Sequence, residues 1–283
     1  MVLSPLREIA IGDGVDATRT GLLYRPPGPI RGSLIALPST GHTAEKWAKN
    51  EVYRFGTLAN RCLCVLFLNP SRRPEDGVVQ WGLDLGDPRS KQDSAYIHRG
   101  RVLLAPDGPV FVFGNSAGGM KAQQLMVKDK VGEQFAGYGI GAAYLPVGWL
   151  NLMARPAPAL FVHGVLDKTF GNDGDPTNLE FDATVDAIGE VNNNWVTPTI
   201  AHHPITRTAA GLHFGAGTTL PRARKLATAC EHFPILRRAD SSTPTAGLRT
   251  ATGHAWHACA ELTAHDVMVW WAEQCGLLPP ETV

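Results

Sequence analysis

A serine framed by glycines is the residue of this sequence best placed to do chemistry. Ser116 lies in Gly-Asn-Ser-Ala-Gly at positions 114–118, between an apolar run at 110–113 and helix-compatible residues at 121–126. This order is typical of a nucleophile elbow, a sharp strand-to-helix turn that exposes the serine hydroxyl above a sheet. The alternative is a glycine-rich turn with a structural serine. In an elbow, the backbone N–H of Ala117 would point at the oxygen of a carbonyl that the serine attacks.

A serine hydroxyl attacks well only when a histidine takes its proton and a carboxylate orients that histidine. Where the serine lies in an elbow, the chain order is serine, acid, histidine, with both partners on loops after strands. Asp167 follows the apolar strand predicted at 159–163, and His254 follows a short strand predicted at 247–250. We therefore predict a catalytic triad of Ser116, Asp167 and His254.

Other residues near these positions compete for the same roles. Asp173 and Asp175 lie in the loop of the predicted triad acid, but their Gly-Asn-Asp-Gly-Asp-Pro sequence is typical of a solvated turn. His257 and His265 follow the predicted triad base closely, but they fall in or near the start of the last predicted helix. Loop position therefore favours the residues chosen above.

An oxyanion hole needs two backbone N–H donors aimed at the oxygen that becomes negative. Ala117 would supply the first. The second is expected in the loop that follows the strand predicted at 32–37, from Thr40 or Ser39. An ordinary strand-to-helix loop with Thr43 as the N-cap is the simpler interpretation, and it is compatible with the same role.

Two further residues are predicted to contact a substrate. They are His42, in the same loop, and Trp256, which follows the triad histidine by two positions. For Trp256, packing under the histidine loop is an equally good interpretation. Triad chemistry needs neither a metal nor an organic cofactor, and we expect none.

The elements that must position these residues follow the order of a doubly wound α/β sheet. Helices are predicted at 43–60, 94–104 and 177–188 and at the C-terminus, whereas 71–92 is interpreted as a surface loop. The segment 192–245 is either a cap over the site or a late strand with a helix. Strands are predicted at 7–11, 20–24, 32–37, 62–68, 110–113, 135–143, 159–163 and 247–250.

The composition fits one α/β domain over residues 1–283. The chain is 44% hydrophobic and 18% charged, and 26 basic residues balance 26 acidic ones. Without charged blocks, neither nucleic acid nor an anionic membrane is an expected partner. No leader-like segment or membrane-length apolar run is visible, so we expect a cytoplasmic protein. Composition leaves open the oligomeric state and a bridge between Cys230 and Cys259.

These motifs together resemble the α/β-hydrolase superfamily, and within it the polyhydroxybutyrate-depolymerase-like esterases, which include feruloyl and acetyl-xylan esterases. The resemblance runs from about residue 32 to residue 274. It implies the α/β-hydrolase fold, a mostly parallel sheet flanked by helices, with the triad given above. The motifs that carry it are Leu-Pro-Ser-Thr-Gly-His at 37–42, Trp47, Gly-Asn-Ser-Ala-Gly-Gly at 114–119, His-Gly-x-x-Asp at 163–167 and Gly-His-Ala-Trp at 253–256.

Two departures from the family pattern are informative. Pro38-Ser39 stands where the family usually has His-Gly, which changes the loop of the second oxyanion donor. His257-Ala258 stands where Pro-Gly usually follows the histidine motif. The second departure and the absence of a leader favour a small soluble ester over a polymer. A serine esterase is therefore predicted. The alternatives are an acyltransferase, cyclase or lactonase with the same triad, and a silent hydrolase-fold binding protein.

Overall fold

The computed structural model shows one ten-stranded sheet. It describes residues 5–12, 18–49, 55–83, 86–130, 132–143, 157–164, 200–203, 230–236, 245–250, 268–269, 271–273 and 276–279. The strands are β1 (Leu6–Ala10), β2 (Thr20–Tyr24), β3 (Gly32–Leu37), β4 (Leu63–Leu68), β5 (Val110–Asn115), β6 (Gly137–Gly141), β7 (Ala159–Gly164), β8 (Ile200–His203), β9 (Cys230–Leu236) and β10 (Thr245–Thr250).

The spatial order of the strands is β1-β2-β4-β3-β5-β6-β7-β10-β9-β8. The six central strands, from β4 to β10 in this order, run parallel. Antiparallel pairs complete both edges, β1 with β2 on one side and β9 with β8 on the other. Strands β3, β4 and β5 are buried at every position, as expected of parallel strands covered on both faces.

Helices cover both faces of this sheet. They are α1 (Ala44–Lys49), α2 (Pro88–Leu104) and α3 (Ala117–Lys128), with short 3-10 helices at Phe55–Asn60 and Ala105–Asp107. One core cluster contains Trp47 of α1 and Trp271 of the C-terminal helical segment. A second cluster contains Tyr96 of α2 and Leu125 of α3. The predicted fold class, a mostly parallel sheet flanked by helices, is confirmed.

The predicted helix at 43–60 is wrong in its last six residues. Helix α1 ends at Lys49, and residues 55–60 form a 3-10 helix. Residues 50–54 lie outside the described ranges, and Gly56 in the 3-10 segment has low α-helix propensity. The inward face predicted for this segment is nevertheless buried. Its members are Ala44, Trp47, Ala48, Phe55 and Leu58.

Helix α2 begins at Pro88, six residues before the predicted start at residue 94. Asp87 is the N-cap, and its carboxylate accepts a 2.8 Å hydrogen bond from the Arg89 amide. Proline at the first helical position completes a strong start signal. The surface-loop interpretation of 71–92 is therefore wrong for residues 88–92, which are helical. It is also wrong for Trp81, which is 1% exposed.

Two strands of the segment 192–245, β8 and β9, extend the sheet at its edge. The other residues predicted as a cap lie outside the described ranges, as do the predicted helix at 177–188 and Cys259. The predicted strands at 20–24 and 32–37 match β2 and β3. In the described part of the chain, no helix is both long and apolar enough to cross a bilayer.

Candidate active site

Ser116 occupies a sharp turn between β5 and α3. Its backbone lies at φ 54° and ψ −125°, a region that few non-glycine residues adopt. Two bonds hold this conformation. The Ser116 amide donates to Gly141 O at 2.8 Å, and its carbonyl accepts from the Met120 amide at 2.9 Å. Ser116 is partly exposed, whereas residues 110–115 and 117–119 on either side are buried. The chain therefore presents this serine and covers its neighbours.

The glycines around Ser116 have no room for a side chain. A Cβ at Gly114 would lie 2.0 Å from Gly118 O, and a Cβ at Gly118 would lie 2.0 Å from Leu37 O. Because these neighbours are backbone atoms, they cannot move aside cheaply. The start of α3 therefore sits directly against the end of β3, which pairs with β5 in parallel. This close approach brings the loop after β3 beside the serine.

The first turn of α3 and the loop after β3, which lie side by side, both contain backbone amides of interest. Ala117 is the first residue of α3, where helical N–H groups have no acceptor within the helix and carry the positive end of its dipole. In the loop after β3, the Gly41 amide donates to Val79 O at 2.8 Å and the His42 amide donates to Ser39 O at 3.1 Å. Within the described ranges, the Thr40 amide makes no hydrogen bond. Ala117 and Thr40 thus keep amides that could bind an anion.

The side chains of this loop have different surroundings. Ser39 is 8% exposed, and its hydroxyl donates to Asn115 O at 3.1 Å. His42 is half-buried, with Nδ1 3.2 Å from Thr40 O. Burial and the positive charge of Lys46 lower the pKa of His42. This imidazole is therefore mostly neutral at neutral pH and can accept or donate a hydrogen bond.

The predicted triad acid, the triad histidine and Trp256 lie outside the described residues. The strands that precede them are described. β7 and β10 are parallel neighbours, and Thr250 pairs with Gly164 at their carboxyl ends. Asp167 follows the end of β7 by three residues, and His254 follows the end of β10 by four. β5 ends at the same edge, with β6 between it and β7.

The sequence did not predict that three residues with polar groups, Trp81, Asp93 and Lys121, are buried beneath this site. All are buried, with relative exposures of 1%, 0% and 0%. Two signals could have found part of this arrangement. A tryptophan stands alone in a polar segment, and Asp87-Pro88 marks a helix start. Lysine in an amphipathic helix is ordinarily solvated, so nothing in the sequence indicates the burial of Lys121.

Among the described residues, one group has the composition of a metal site, at the opposite end of α3. Its members are His98, Asp129 and Glu133, whose ligand atoms lie within 4.8 Å of one another. Asp129 already uses both oxygens, since Oδ1 lies 2.9 Å from His98 Nε2 and Oδ2 accepts from the Tyr138 hydroxyl at 2.7 Å. Hydrogen bonds to His98 and Tyr138 thus account for the position of Asp129, and Glu133 is exposed.

Several solved structures are similar to this chain. An acetyl xylan esterase from Aspergillus awamori matches 97% of this chain and 100% of its own, with a TM-score of 0.58 and 14% identity. An acyl-protein thioesterase 2 from Zea mays matches 61% of this chain and 84% of its own, with a TM-score of 0.45 and 17% identity. An S-formylglutathione hydrolase from Agrobacterium tumefaciens matches 62% of this chain and 78% of its own, with a TM-score of 0.44 and 17% identity.

The first of these matches carries the fold assignment, because its TM-score exceeds 0.5 over nearly the whole chain. The protein therefore has the α/β-hydrolase fold, as the sequence motifs implied. No protein-family model and no curated protein matches the sequence.

Proposed function

We propose that the protein is a serine hydrolase that cleaves a small, soluble carboxylic ester through an acyl-enzyme. The conformation of Ser116 is the observation that carries this proposal. This non-glycine residue lies at φ 54° and ψ −125°, directly after a fully buried strand and between glycines that have no room for a side chain. Backbone strain of this kind costs about 1–3 kcal/mol and is concentrated at functional sites. Here the strained residue carries a nucleophile, and its hydroxyl is the group that the turn presents.

The order of the strands supports the choice of Asp167 and His254 as partners of Ser116. Their loops follow β7 and β10, which end at the same edge of the sheet as β5. Loops at the carboxyl ends of parallel strands are where this fold collects catalytic groups.

In the proposed mechanism, His254 takes the proton of Ser116 as the hydroxyl oxygen attacks the ester carbonyl. His254 then gives that proton to the departing alcohol, while Asp167 holds the imidazole in the required tautomer. Water repeats the same two steps on the acyl-enzyme and releases the carboxylic acid. Triad chemistry of this type uses no metal or organic cofactor, and the small ester is the only partner it needs.

The amides of Ala117 and Thr40 are the proposed oxyanion donors, with the amide of Ser39 as the alternative to Thr40. Each donor is expected to lower the barrier by about 3 kcal/mol. His42 and Trp256 are proposed to line the pocket for the acyl or alcohol group. A cytoplasmic location also remains a proposal.

Labelling with a fluorophosphonate tests the proposal directly, because the reagent reacts with activated serines. We expect the label on Ser116, located by peptide mass mapping, and its loss in His254→Ala. A folded wild-type protein that takes no label would overturn the assignment and favour a silent binding protein. Product analysis with and without an added alcohol then separates hydrolysis from acyl transfer.

A further inference from the structure

The loop after β3 is tied to the serine turn at Pro38 and Ser39, the first of the two departures from the family pattern. Ser39 Oγ donates to the carbonyl of Asn115, the residue directly before Ser116, at 3.1 Å. The Pro38 carbonyl lies against Gly118, where a Cβ would come within 2.8 Å of it. Proline and serine here are therefore structural parts of the contact between loop and turn.

Trp81 holds the same loop from the other side. Its indole is 1% exposed, and Nε1 donates to Pro38 O at 2.8 Å in a fully buried bond. Two residues earlier, Val79 O accepts the Gly41 amide at 2.8 Å. The segment 79–81 thus runs beside the loop and bonds to it on both sides of Ser39 and Thr40.

The residue after Trp81 is anchored by both helices on this face of the sheet. The Gly82 amide donates to Asp93 Oδ2 of α2 at 2.7 Å, and Lys121 Nζ of α3 donates to Gly82 O at 3.2 Å. Asp93 also pairs with Arg19 at 2.8 Å and is 0% exposed. Neither anchor can relax into solvent, so Gly82 is fixed.

Lys121 closes a circuit of contacts that begins and ends at the serine turn. It lies on α3, five residues after the N-cap Ser116, and it also donates to Ser90 O and Gln124 Oε1. From the turn, the contacts run along α3 to Lys121, through Gly82 and Trp81 to the loop, and back through Ser39. A rigid circuit of this kind fixes the distance between the loop and the turn.

We propose that Trp81 and Ser39 are positioning residues for ester cleavage, which hold the Thr40 amide at a fixed distance from Ser116 and Ala117. The inference rests on the proposed function. Oxyanion donors stabilise a transition state only if they are placed before the charge develops, and small displacements weaken them steeply. Neither side chain touches the substrate. Each acts through the loop.

The first test is Trp81→Phe, which removes the indole N–H and keeps an aromatic ring. We expect kcat to fall about tenfold while KM stays unchanged, because an interaction used only in the transition state is weakened. Affinity for a trifluoromethyl ketone, whose adduct with serine carries an oxyanion, should fall by the same factor. A purely structural role for Trp81 would not move these quantities together.

Trp271→Phe is the matched control. Trp271 is also 1% exposed, but it belongs to the core cluster on the other face of the sheet. The control should lose thermal stability and keep its kcat. Equal losses of kcat in both variants, or an unchanged kcat in Trp81→Phe, would overturn the inference.

Substitutions at Ser39 give an independent test. Ser39→Ala should lower kcat, and Ser39→Thr, which keeps a hydroxyl, should restore part of it. In the double variant Trp81→Phe with Ser39→Ala, the losses should be non-additive, because both residues hold one loop. Full activity of Ser39→Ala, or simple multiplication of the two losses, would overturn the shared role.

The wild-type protein is labelled with the fluorophosphonate before any variant is compared. A wild type that takes no label overturns the proposed function, and the positioning role with it. A labelled wild type with unaffected Trp81→Phe and Ser39→Ala variants overturns the positioning role alone.

Discussion

Helix α3 separates two buried polar clusters that have different relations to the candidate site. The near cluster, Asp93 with Lys121, lies beside the first turns of the helix and bonds to the backbone of Gly82. The far cluster, Asp129 with Tyr138 and His98, lies at the C-terminal end of the helix. Both contain a buried carboxylate on the same face of the sheet. The two clusters differ in the groups to which they are hydrogen-bonded.

The bonds of the far cluster mostly join side chains to each other. Burial raises the pKa of Asp129, and hydrogen bonds from His98 and Tyr138 partly offset this. These bonds join α2, α3 and β6 without reaching the loop after β3. Two bonds of the near cluster end on the amide and the carbonyl of Gly82, the residue next to Trp81. We therefore expect far-cluster substitutions to change stability alone, and near-cluster substitutions to change stability and catalysis together.

The largest expected effect is that of Ser116→Ala, at the start of the helix. We expect kcat to fall by about 10⁴- to 10⁶-fold, because a triad works as a unit, while the free energy of unfolding changes little. Steady-state hydrolysis of an activated short-chain ester measures kcat, and urea unfolding measures the free energy of unfolding. Activity within about tenfold of the wild type would exclude Ser116 as the nucleophile.

A matched pair, Asp93→Asn and Asp129→Asn, tests the comparison directly. Removing the charge of Asp93 leaves the guanidinium of Arg19 without a carboxylate to neutralise it and should cost about 3 kcal/mol of unfolding free energy. It should also lower kcat, because the Gly82 anchor loosens. Asp129→Asn should lower stability and leave kcat unchanged. Parallel losses of kcat in both variants, measured on folded samples, would contradict the distinction.

Lys121 gives the near cluster a pH dependence. Burial lowers its pKa to about 7 from an ordinary 10.5, although the charge of Asp93 acts in the opposite direction. Between these two values the unfolded chain binds a proton that the folded chain lacks, so this group makes stability rise with pH across that window.

Lys121→Met should remove that rise. Urea unfolding of wild type and variant from about pH 7 to about pH 10 measures the difference between them. The variant should also be less stable throughout, since Gly82 O and Ser90 O lose a donor. Identical pH slopes in the two proteins would contradict the prediction.

The smallest effect is expected from Tyr138→Phe in the far cluster. The Tyr138 hydroxyl donates to Asp129 Oδ2 at 2.7 Å and accepts from the Phe135 amide at 3.1 Å. Losing both bonds should cost about 1–3 kcal/mol of unfolding free energy. Because the far cluster does not reach the site, kcat and KM should match the wild type. A lower kcat would show that the far end also controls the site.

The sequence predicted the central sheet and the serine turn well because both depend on local patterns. Continuous runs of apolar residues specify β3 and β5, and glycines specify the turn around Ser116. The 3-10 helix at Phe55–Asn60 and the start of α2 at Pro88 were missed. Propensity and capping were the stronger signals in both places.

Most of what lies beneath the site could not be predicted. Trp81 lies in a segment without periodicity, and its burial depends on Pro38, 43 positions away. Lys121 is buried because α2 supplies acceptors such as Ser90 O, 31 positions away. Contacts between elements distant in sequence leave no trace in the local pattern. Position along the chain predicted Asp167 and His254, and those predictions remain to be tested.

The close contact of Gly118 with Leu37 has a consequence for how this protein could acquire new substrates. Any Cβ at position 118 would collide with the backbone of the neighbouring strand, so a saturation library at this position should return glycine alone. The exposed Thr40 and the half-buried His42 are under no such restriction. Variation that alters substrate preference is therefore expected in the surrounding loops, with the turn of Ser116 unchanged.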